Sequence, residues 1–110
     1  MNEELLEIMN FYKEKNQRKK LQEETYELIE ALIEYENESY KMYAEIEKAH
    51  KEHIAEEIAD CYVILEQFRL KHNIGKEKIK DMMDYKIKRQ LIRIKKEKGR
   101  GKEYADEYIN

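Results

Sequence analysis

Apolar residues recur along most of this chain at intervals of three and four, the spacing that places side chains on one face of an α-helix. The pattern predicts helices over about residues 2–15, 17–36, 50–72 and 76–97, with residues 37–49 ambiguous. Breaks are predicted at Asn16 and at Asn73-Ile74-Gly75, where Gly75 suits the left-handed position that ends a helix. We therefore expect an all-α fold: a four-helix, bundle-like protomer with a helical domain over residues 1–98 and a C-terminal tail over 99–110.

The second and third predicted helices are related by an internal repeat. Residues 21–35 align without gaps on residues 54–68, an offset of 33. This alignment superposes Glu24 on Glu57 and Glu27 on Asp60. Two similar helices that pack antiparallel are related by a pseudo-two-fold axis, so we expect the two acidic pairs to face one another.

Both acidic pairs lie toward the apolar side of their predicted helices. Each helical residue turns by roughly 100°, which puts Glu24 and Glu57 inside the apolar arcs and Glu27 and Asp60 at the arc edges. Glu23 points away from its arc. The residues predicted to form the arcs are Leu21, Leu28, Leu32 and Tyr35 on the second helix and Ile54, Ile58, Cys61, Leu65 and Phe68 on the third.

Carboxylates on a buried face are costly unless a cation offsets their charge. Four of them on facing helices would also repel one another, and a divalent cation removes that repulsion. Hard oxygen ligands suit Mg²⁺, with Mn²⁺ as the alternative. The pattern therefore predicts a metal site formed by Glu24, Glu27, Glu57 and Asp60.

The composition fits a folded, helical, intracellular chain. It has no proline, three glycines and 43% charged residues, yet the formal net charge is only −3. The single cysteine, Cys61, excludes an internal disulfide and fits a reducing compartment. No apolar run is long enough for a membrane helix or a signal peptide. We expect a cytoplasmic protein with no membrane partner.

Positive charge is concentrated near the end of the chain. Residues 86–102 carry nine Lys or Arg and one Glu. Lys86 and Arg89 share a predicted face with Met82 and Arg93, beside an apolar face of the same helix. A basic face near an acidic metal site suits a phosphate ligand, and the alternative is salt bridging between helices or a solvated basic helix end. We disfavour a nucleic-acid partner because the chain is negative overall.

The two acidic motifs resemble the signature of the MazG-like all-α nucleotide pyrophosphohydrolases, Glu-Glu-x-x-Glu followed by Glu-x-x-Asp. Here the motifs read Glu23-Glu24-Thr25-Tyr26-Glu27 and Glu57-Ile58-Ala59-Asp60, with a spacer of 29 residues that is at the long end for the family. The resemblance extends over about residues 17–95. It implies Mg²⁺-dependent hydrolysis of a nucleoside triphosphate to the monophosphate and pyrophosphate.

The resemblance also implies a role for individual acidic residues. Glu24, Glu27, Glu57 and Asp60 would bind Mg²⁺. Glu23, or a ligand carboxylate such as Glu24, would activate the attacking water, because an ionised carboxylate can orient water and take its proton. The sequence does not choose between them, and a supporting salt bridge is the other role open to Glu23.

Four further residues are candidates for substrate binding. In similar proteins a Gln and a Lys ahead of the first motif face the nucleotide, which here are Gln17 and Lys20. A Lys and an Arg in the last helix of the family correspond to Lys86 and Arg89. We expect a homodimer or homotetramer, because a chain of 110 residues has a modest core and we expect the nucleotide pocket to include a second subunit.

Two other interpretations compete with the enzyme. The first is a non-catalytic helical oligomerisation module, in which the acidic stripes are salt-bridged to the basic last helix. The second is a different metal site, built on the Glu47–His50 pattern of di-iron bundles or on the pair His53 and Glu57. Neither histidine pattern is accompanied by a full set of ligands.

Overall fold

The computed structural model describes residues 1–38 and 43–100 of the chain. These residues form four α-helices and no strand, which confirms the predicted all-α class. The helices are α1 (Asn2–Tyr12), α2 (Glu14–Glu38), α3 (Ala44–Lys71) and α4 (Lys76–Gly99). At the two ends of the ambiguous stretch, α2 extends to Glu38 and α3 begins at Ala44. Residues 39–42, and the predicted tail from residue 101 onward, lie outside the described residues.

The chain divides into two compact units at the junction between Asn73 and Ile74. The first unit contains α1, α2 and α3, and each of these helices packs against the other two, most extensively α2 against α3. The second unit contains α4. The predicted domain over residues 1–98 spans both units. In the part of the chain that the structure describes, no helix is long and apolar enough to span a membrane.

The break between α1 and α2 falls at Lys13 and not at the predicted Asn16. Lys13 has φ 74° and ψ 151°, a combination that essentially only glycine adopts without strain. Its N–H donates to the Met9 carbonyl at 2.9 Å, and its carbonyl accepts the Gln17 N–H at 3.1 Å. Asn16 spans the break, because its side-chain amide donates to the Tyr12 carbonyl at 2.7 Å. The predicted position is wrong because nothing in the sequence around Lys13 marks a helix end.

The turn between α3 and α4 uses Asn73, not Gly75, as its left-handed residue. Asn73 has φ 56°, whereas Gly75 has φ −72° and precedes the first residue of α4. The prediction for Gly75 is therefore wrong. Asparagine tolerates the left-handed region better than other residues with a side chain, so it can end α3 two residues earlier than glycine would. The N–H of Asn73 donates to the Leu70 carbonyl at 3.1 Å.

The helices α2 and α3 run antiparallel, the arrangement in which the repeat gives a pseudo-two-fold axis. Gln17, near the start of α2, bonds to Gln67, near the end of α3. Tyr35, near the end of α2, bonds to Glu47, near the start of α3. The start of α2 therefore contacts the end of α3, and the end of α2 contacts the start of α3.

The core of the first unit is small, and its apolar members are Leu5, Met9, Ala31, Cys61 and Ile64. Several members of the predicted arcs lie outside it: Leu32 is 44% exposed and Leu65 48%. The α2–α3 seam instead follows two lines of buried residues, which are Gln17, Glu24 and Ala31 on α2 and Cys61, Ile64 and Gln67 on α3. The other arc residues border this seam: Leu21, Leu28, Tyr35, Ile54 and Phe68 are half-buried, and Cys61 lies in the seam itself.

Candidate metal centre

Three carboxylates meet across the α2–α3 seam. Glu24 comes from α2, and Glu57 and Asp60 come from α3. Glu57 and Asp60 are three residues apart, so helical geometry places their side chains on the same face. One oxygen atom from each carboxylate lies within 4.8 Å of the other two. The two predicted acidic motifs therefore meet at one point.

Two oxygens of this cluster are buried without a hydrogen bond. The side chains of Glu24 and Glu57 are only 7% and 12% exposed. Among the described residues, Oε2 of Glu24 and Oε2 of Glu57 are the buried side-chain oxygens that have no hydrogen-bond partner. An anionic oxygen in that position is costly unless a cation meets it. The all-carboxylate donor set fits Mg²⁺ or Mn²⁺.

The two unpartnered oxygens are equivalent under the 33-residue repeat, and so are their neighbours. Nζ of Lys20 lies 2.9 Å from Oε1 of Glu24, one helical turn away. Nε2 of His53 lies 3.4 Å from Oε1 of Glu57, at the equivalent positions of α3. Each buried glutamate thus directs Oε1 at a nitrogenous side chain of its own helix and leaves Oε2 without a partner.

The carboxylates perturb one another's protonation. The hydrogen bond from Lys20 lowers the pKa of Glu24, in spite of the opposing effect of burial. Burial, followed by the charge of Glu24, raises the pKa of Asp60. The charge of Glu24, burial and then the charge of Glu57 raise the pKa of Glu27. The ammonium of Lys20 therefore leaves residual repulsion among the carboxylates, which a divalent cation would relieve.

The other two acidic candidates lie at the margin of the cluster. Glu27 is exposed and does not belong to the group of three close oxygens. It lies near enough for the charges of Glu24 and Glu57 to raise its pKa. Glu23 is exposed and lines the cavity next to the cluster. These positions agree with the helical angles, which put Glu27 at the edge of the apolar arc and Glu23 outside it.

A cavity of about 550 Å³ adjoins the cluster and is lined by residues of α1, α2 and α3. Five predicted site residues line it: Gln17, Lys20, Glu23, Glu24 and Asp60. Gln67 also lines it and was not predicted. The amide of Gln17 donates to Oε1 of Gln67 at 2.8 Å, and the two residues are only 5% and 1% exposed. Spacing could have revealed Gln67, because it follows Asp60 by the seven residues that separate Gln17 from Glu24.

The two basic candidates of the last helix, Lys86 and Arg89, lie on α4 in the second unit. The guanidinium of Arg89 lies over the ring of Tyr85, 5.9 Å from its centroid. A contact of Lys86 and Arg89 with a phosphate at the acidic cluster stays a prediction.

A second group of possible ligands lies near the other end of the α2–α3 seam and comprises Glu34, Glu38 and His50. Nε2 of His50 lies 3.3 Å from Oε2 of Glu38, so these two side chains already form a contact. Glu47 accepts a hydrogen bond from the Tyr35 hydroxyl at 2.9 Å, and its carboxylate is not part of this group. The group contains exposed carboxylates and lacks the buried, unpartnered oxygens of the first cluster.

No family model, curated protein or solved structure matches this chain. Function is therefore inferred from the geometry of the acidic cluster and from the two motifs that form it.

Proposed function

We propose that this protein is a Mg²⁺-dependent nucleotide pyrophosphohydrolase, which converts a nucleoside triphosphate to the monophosphate and pyrophosphate. The observation that carries the proposal is the meeting of Glu24, Glu57 and Asp60, with two buried oxygens lacking partners, beside a cavity large enough for a small ligand. These residues are also the ones that match the MazG-like signature. Motif and geometry thus point to the same chemistry.

Glu24, Glu57 and Asp60 would hold the metal ion, and Glu27 would complete the site from its margin. Mg²⁺ in this position offsets phosphate charge and makes the α-phosphorus a better electrophile. The chain contributes carboxylates that are fixed by two packed helices before the ion arrives. Lys20 assists, because its hydrogen bond keeps Glu24 ionised.

Glu23 is the group that we assign to the attacking water. It lines the cavity but does not belong to the three-carboxylate cluster, so its carboxylate is free to orient water and accept its proton. The water oxygen forms a bond to the α-phosphorus, the bond between that phosphorus and the bridging oxygen breaks, and pyrophosphate leaves. Glu24 remains the alternative base on α2.

The substrate contacts follow from the same cavity. The Lys20 side chain is 53% exposed at its edge and can turn to a phosphate once a cation takes over the charge of Glu24. Gln17 lines the cavity as a contact for the nucleoside. A role of Lys86 and Arg89 in phosphate binding rests on the family resemblance alone, because neither residue lines this cavity.

The proposed protein is a cytoplasmic homodimer or homotetramer. Large apolar side chains remain exposed on both central helices: Tyr26, Ile29 and Ile33 on α2 and Ile58, Tyr62 and Leu65 on α3. The helix α4 has no buried residue, although it carries isoleucines, methionines and a leucine. Contact with a second copy would cover such surfaces and enlarge a small core.

The proposal is tested by measuring pyrophosphate release from the common ribo- and deoxyribonucleoside triphosphates. We expect turnover that requires Mg²⁺ or Mn²⁺ and falls by about 100-fold in Glu57→Gln, because a metal ligand is lost. Glu56→Gln is the matched control, since Glu56 is the exposed neighbour on α3, and it should retain activity.

Absence of turnover with every triphosphate, in Mg²⁺ and in Mn²⁺, would reject the enzyme. The rival is the non-catalytic helical module, in which the acidic stripes are salt-bridged to the basic last helix. For that module, Mg²⁺ should leave the melting temperature unchanged and Glu57→Gln should be tolerated.

A further inference from the structure

The pair formed by Gln17 and Gln67 is not explained by packing alone. Burying two primary amides is costly unless their polar atoms are satisfied. One hydrogen bond joins the two side chains, whereas each amide can make several. Both residues line the cavity, and neither contributes to the buried side-chain atoms that lack a partner. Because both residues line the cavity, a ligand bound there can contact the amide atoms that this one hydrogen bond does not use.

The cavity has two chemically different ends. Glu24 and Asp60 line the end at the acidic cluster, and Gln17 and Gln67 line the other. Seven residues separate the two ends on α2 and on α3, a distance of about 10 Å along each helix. The axial distance exceeds the reach of one phosphate group, so a ligand that uses both ends must be elongated.

The α3 wall between the two ends is apolar, whereas the α2 wall carries the charged residues Lys19, Lys20 and Glu23. Val63 and Ile64 lie between Asp60 and Gln67 on α3 and line the cavity. The helix α1 adds Ile8 and Tyr12. Apolar and aromatic side chains of this kind receive the flat faces of a ring, and a buried amide offers the adjacent donor and acceptor that the edge of a nucleobase requires.

We infer that the Gln17–Gln67 amide pair binds the edge of the nucleobase and that Gln67 selects among bases. The inference rests on the proposed function, which places the phosphates at the acidic cluster. The base then lies against Ile8, Tyr12 and Ile64, and its hydrogen-bonding edge meets the two amides. A nucleotide spans the cavity lengthwise in this arrangement.

The test compares the four common ribonucleoside triphosphates with wild type, Gln67→Glu and Gln67→Met. Gln67→Glu keeps the acceptor for the Gln17 N–H but removes the amide donor. We expect kcat/KM to rise by about tenfold for the nucleotides of adenine, cytosine and guanine, which carry amino donors, relative to that of uracil, which carries no amino group. Gln67→Met has a similar length and no amide, and it should flatten the differences among the bases.

The matched control is Gln22→Glu, which makes the same chemical change at an exposed position of α2 that does not line the cavity. It should leave the order of the four substrates unchanged. Circular dichroism establishes that each variant is helical before kinetics are compared. Unchanged base ratios in both Gln67 variants, with turnover that still depends on Mg²⁺ and Glu57, would overturn the inference and leave the proposed function intact.

Binding is measured separately from turnover by calorimetric titration of ATP, GTP, CTP and UTP in the presence of Mg²⁺. Base-dependent dissociation constants that shift in Gln67→Glu support the base pocket even when no triphosphate is hydrolysed, and in that case only the proposed reaction fails. Absence of binding by all four nucleotides overturns the base pocket itself.

Discussion

In Glu24 and in Glu57, one carboxylate oxygen has a polar partner and the other has none. Each carboxylate directs Oε1 to Lys20 or His53 on its own helix, and each leaves Oε2 buried without a hydrogen bond. A lysine one turn away can hold a carboxylate ionised, but it cannot fill the space between two helices. A divalent cation there would contact oxygens from both helices, so its binding should couple directly to folding.

Mg²⁺ should therefore stabilise the wild-type protein. At a concentration about 100 times its dissociation constant, a ligand that binds only the folded state adds about 2.7 kcal/mol to the free energy of unfolding. Thermal melts in EDTA and in increasing Mg²⁺ would measure the gain. Glu57→Gln should lose most of it and Glu56→Gln should retain it, and an equal gain in both variants would contradict the assigned ligands.

Asp60→Asn should stabilise the protein in the absence of metal. Burial and the charge of Glu24 raise the folded-state pKa of Asp60, so the folded state binds the proton more tightly than the unfolded chain does. Stability then falls as the pH rises from the unfolded-state pKa through the raised folded-state pKa, and the penalty persists at neutral pH. Because Asp60 is exposed, the gain on removing its charge should be below about 1 kcal/mol.

The measurement is a series of melts in EDTA between acidic and neutral pH. The variant should melt above wild type at neutral pH, and the difference should vanish where Asp60 is protonated in both states. A variant less stable than wild type at neutral pH would show that the repulsion at this site has been misjudged.

The turn between α1 and α2 is a strained element. Lys13 carries a side chain in a region of φ and ψ that suits glycine. Lys13→Gly should raise the free energy of unfolding by about 1 kcal/mol, because it removes the Cβ and with it the strain. Lys13→Ala, which keeps the Cβ, should not. Denaturant unfolding of both variants measures the difference, and equal stability of the two would argue against strain at this residue.

The far end of the α2–α3 pair is held by the hydrogen bond from Tyr35 to Glu47. This bond lowers the folded-state pKa of Glu47, so its stabilising contribution is present above the unfolded-state pKa and is lost as the pH falls through the folded-state pKa. Tyr35→Phe should lower the melting temperature at neutral pH and match wild type at the acid end of the range. Tyr62→Phe, at an exposed tyrosine of α3, is the control.

At the level of elements, periodicity predicted the helices well because their apolar spacing is strong and proline is absent. It placed the packed faces less well. Leu32 and Leu65 belong to the most apolar arcs but are exposed, whereas Gln17 and Gln67 are buried. Helical periodicity identifies a buried face by its apolar residues. It does not predict that two amide side chains are buried between α2 and α3 because they form a hydrogen bond with each other. Gln67 was missed because the 33-residue repeat marks the acidic pairs and aligns Gln67 with Glu34. The signal for Gln67 is its seven-residue spacing from Asp60, which matches the spacing of Gln17 from Glu24.

At the scale of the whole molecule, the residues that the structure describes expose much apolar surface. Ile29 and Ile33 on α2 are 48% and 51% exposed, and Ile58 and Leu65 on α3 are similarly accessible. The fold class followed from composition and pattern alone, but the assembly did not, because a single sequence does not state which exposed faces a second copy covers. The proposed oligomer is therefore open to a direct test.

Ile29→Lys should weaken self-association. A lysine at an apolar contact must be desolvated when two copies meet, so the variant should dissociate at concentrations about tenfold or more above those at which wild type does. Sedimentation equilibrium measures the molecular mass of each. Glu30→Lys adds a lysine at the next, already charged position of α2 and should leave association unchanged. A wild-type protein that sediments as a monomer would exclude the oligomer.

The repeat that builds the acidic cluster has unequal flanks. A shift of 33 residues carries Gln17 onto His50 and Gln67 onto Glu34, so the neutral amides on one side correspond to a histidine and a carboxylate on the other. If the two helices had identical sequences, the pair would be symmetric and an elongated ligand could bind in either of two opposite orientations. The unequal flanks already make the two orientations inequivalent here, and α1 increases the difference because Ile8 and Tyr12 line the cavity on the amide side.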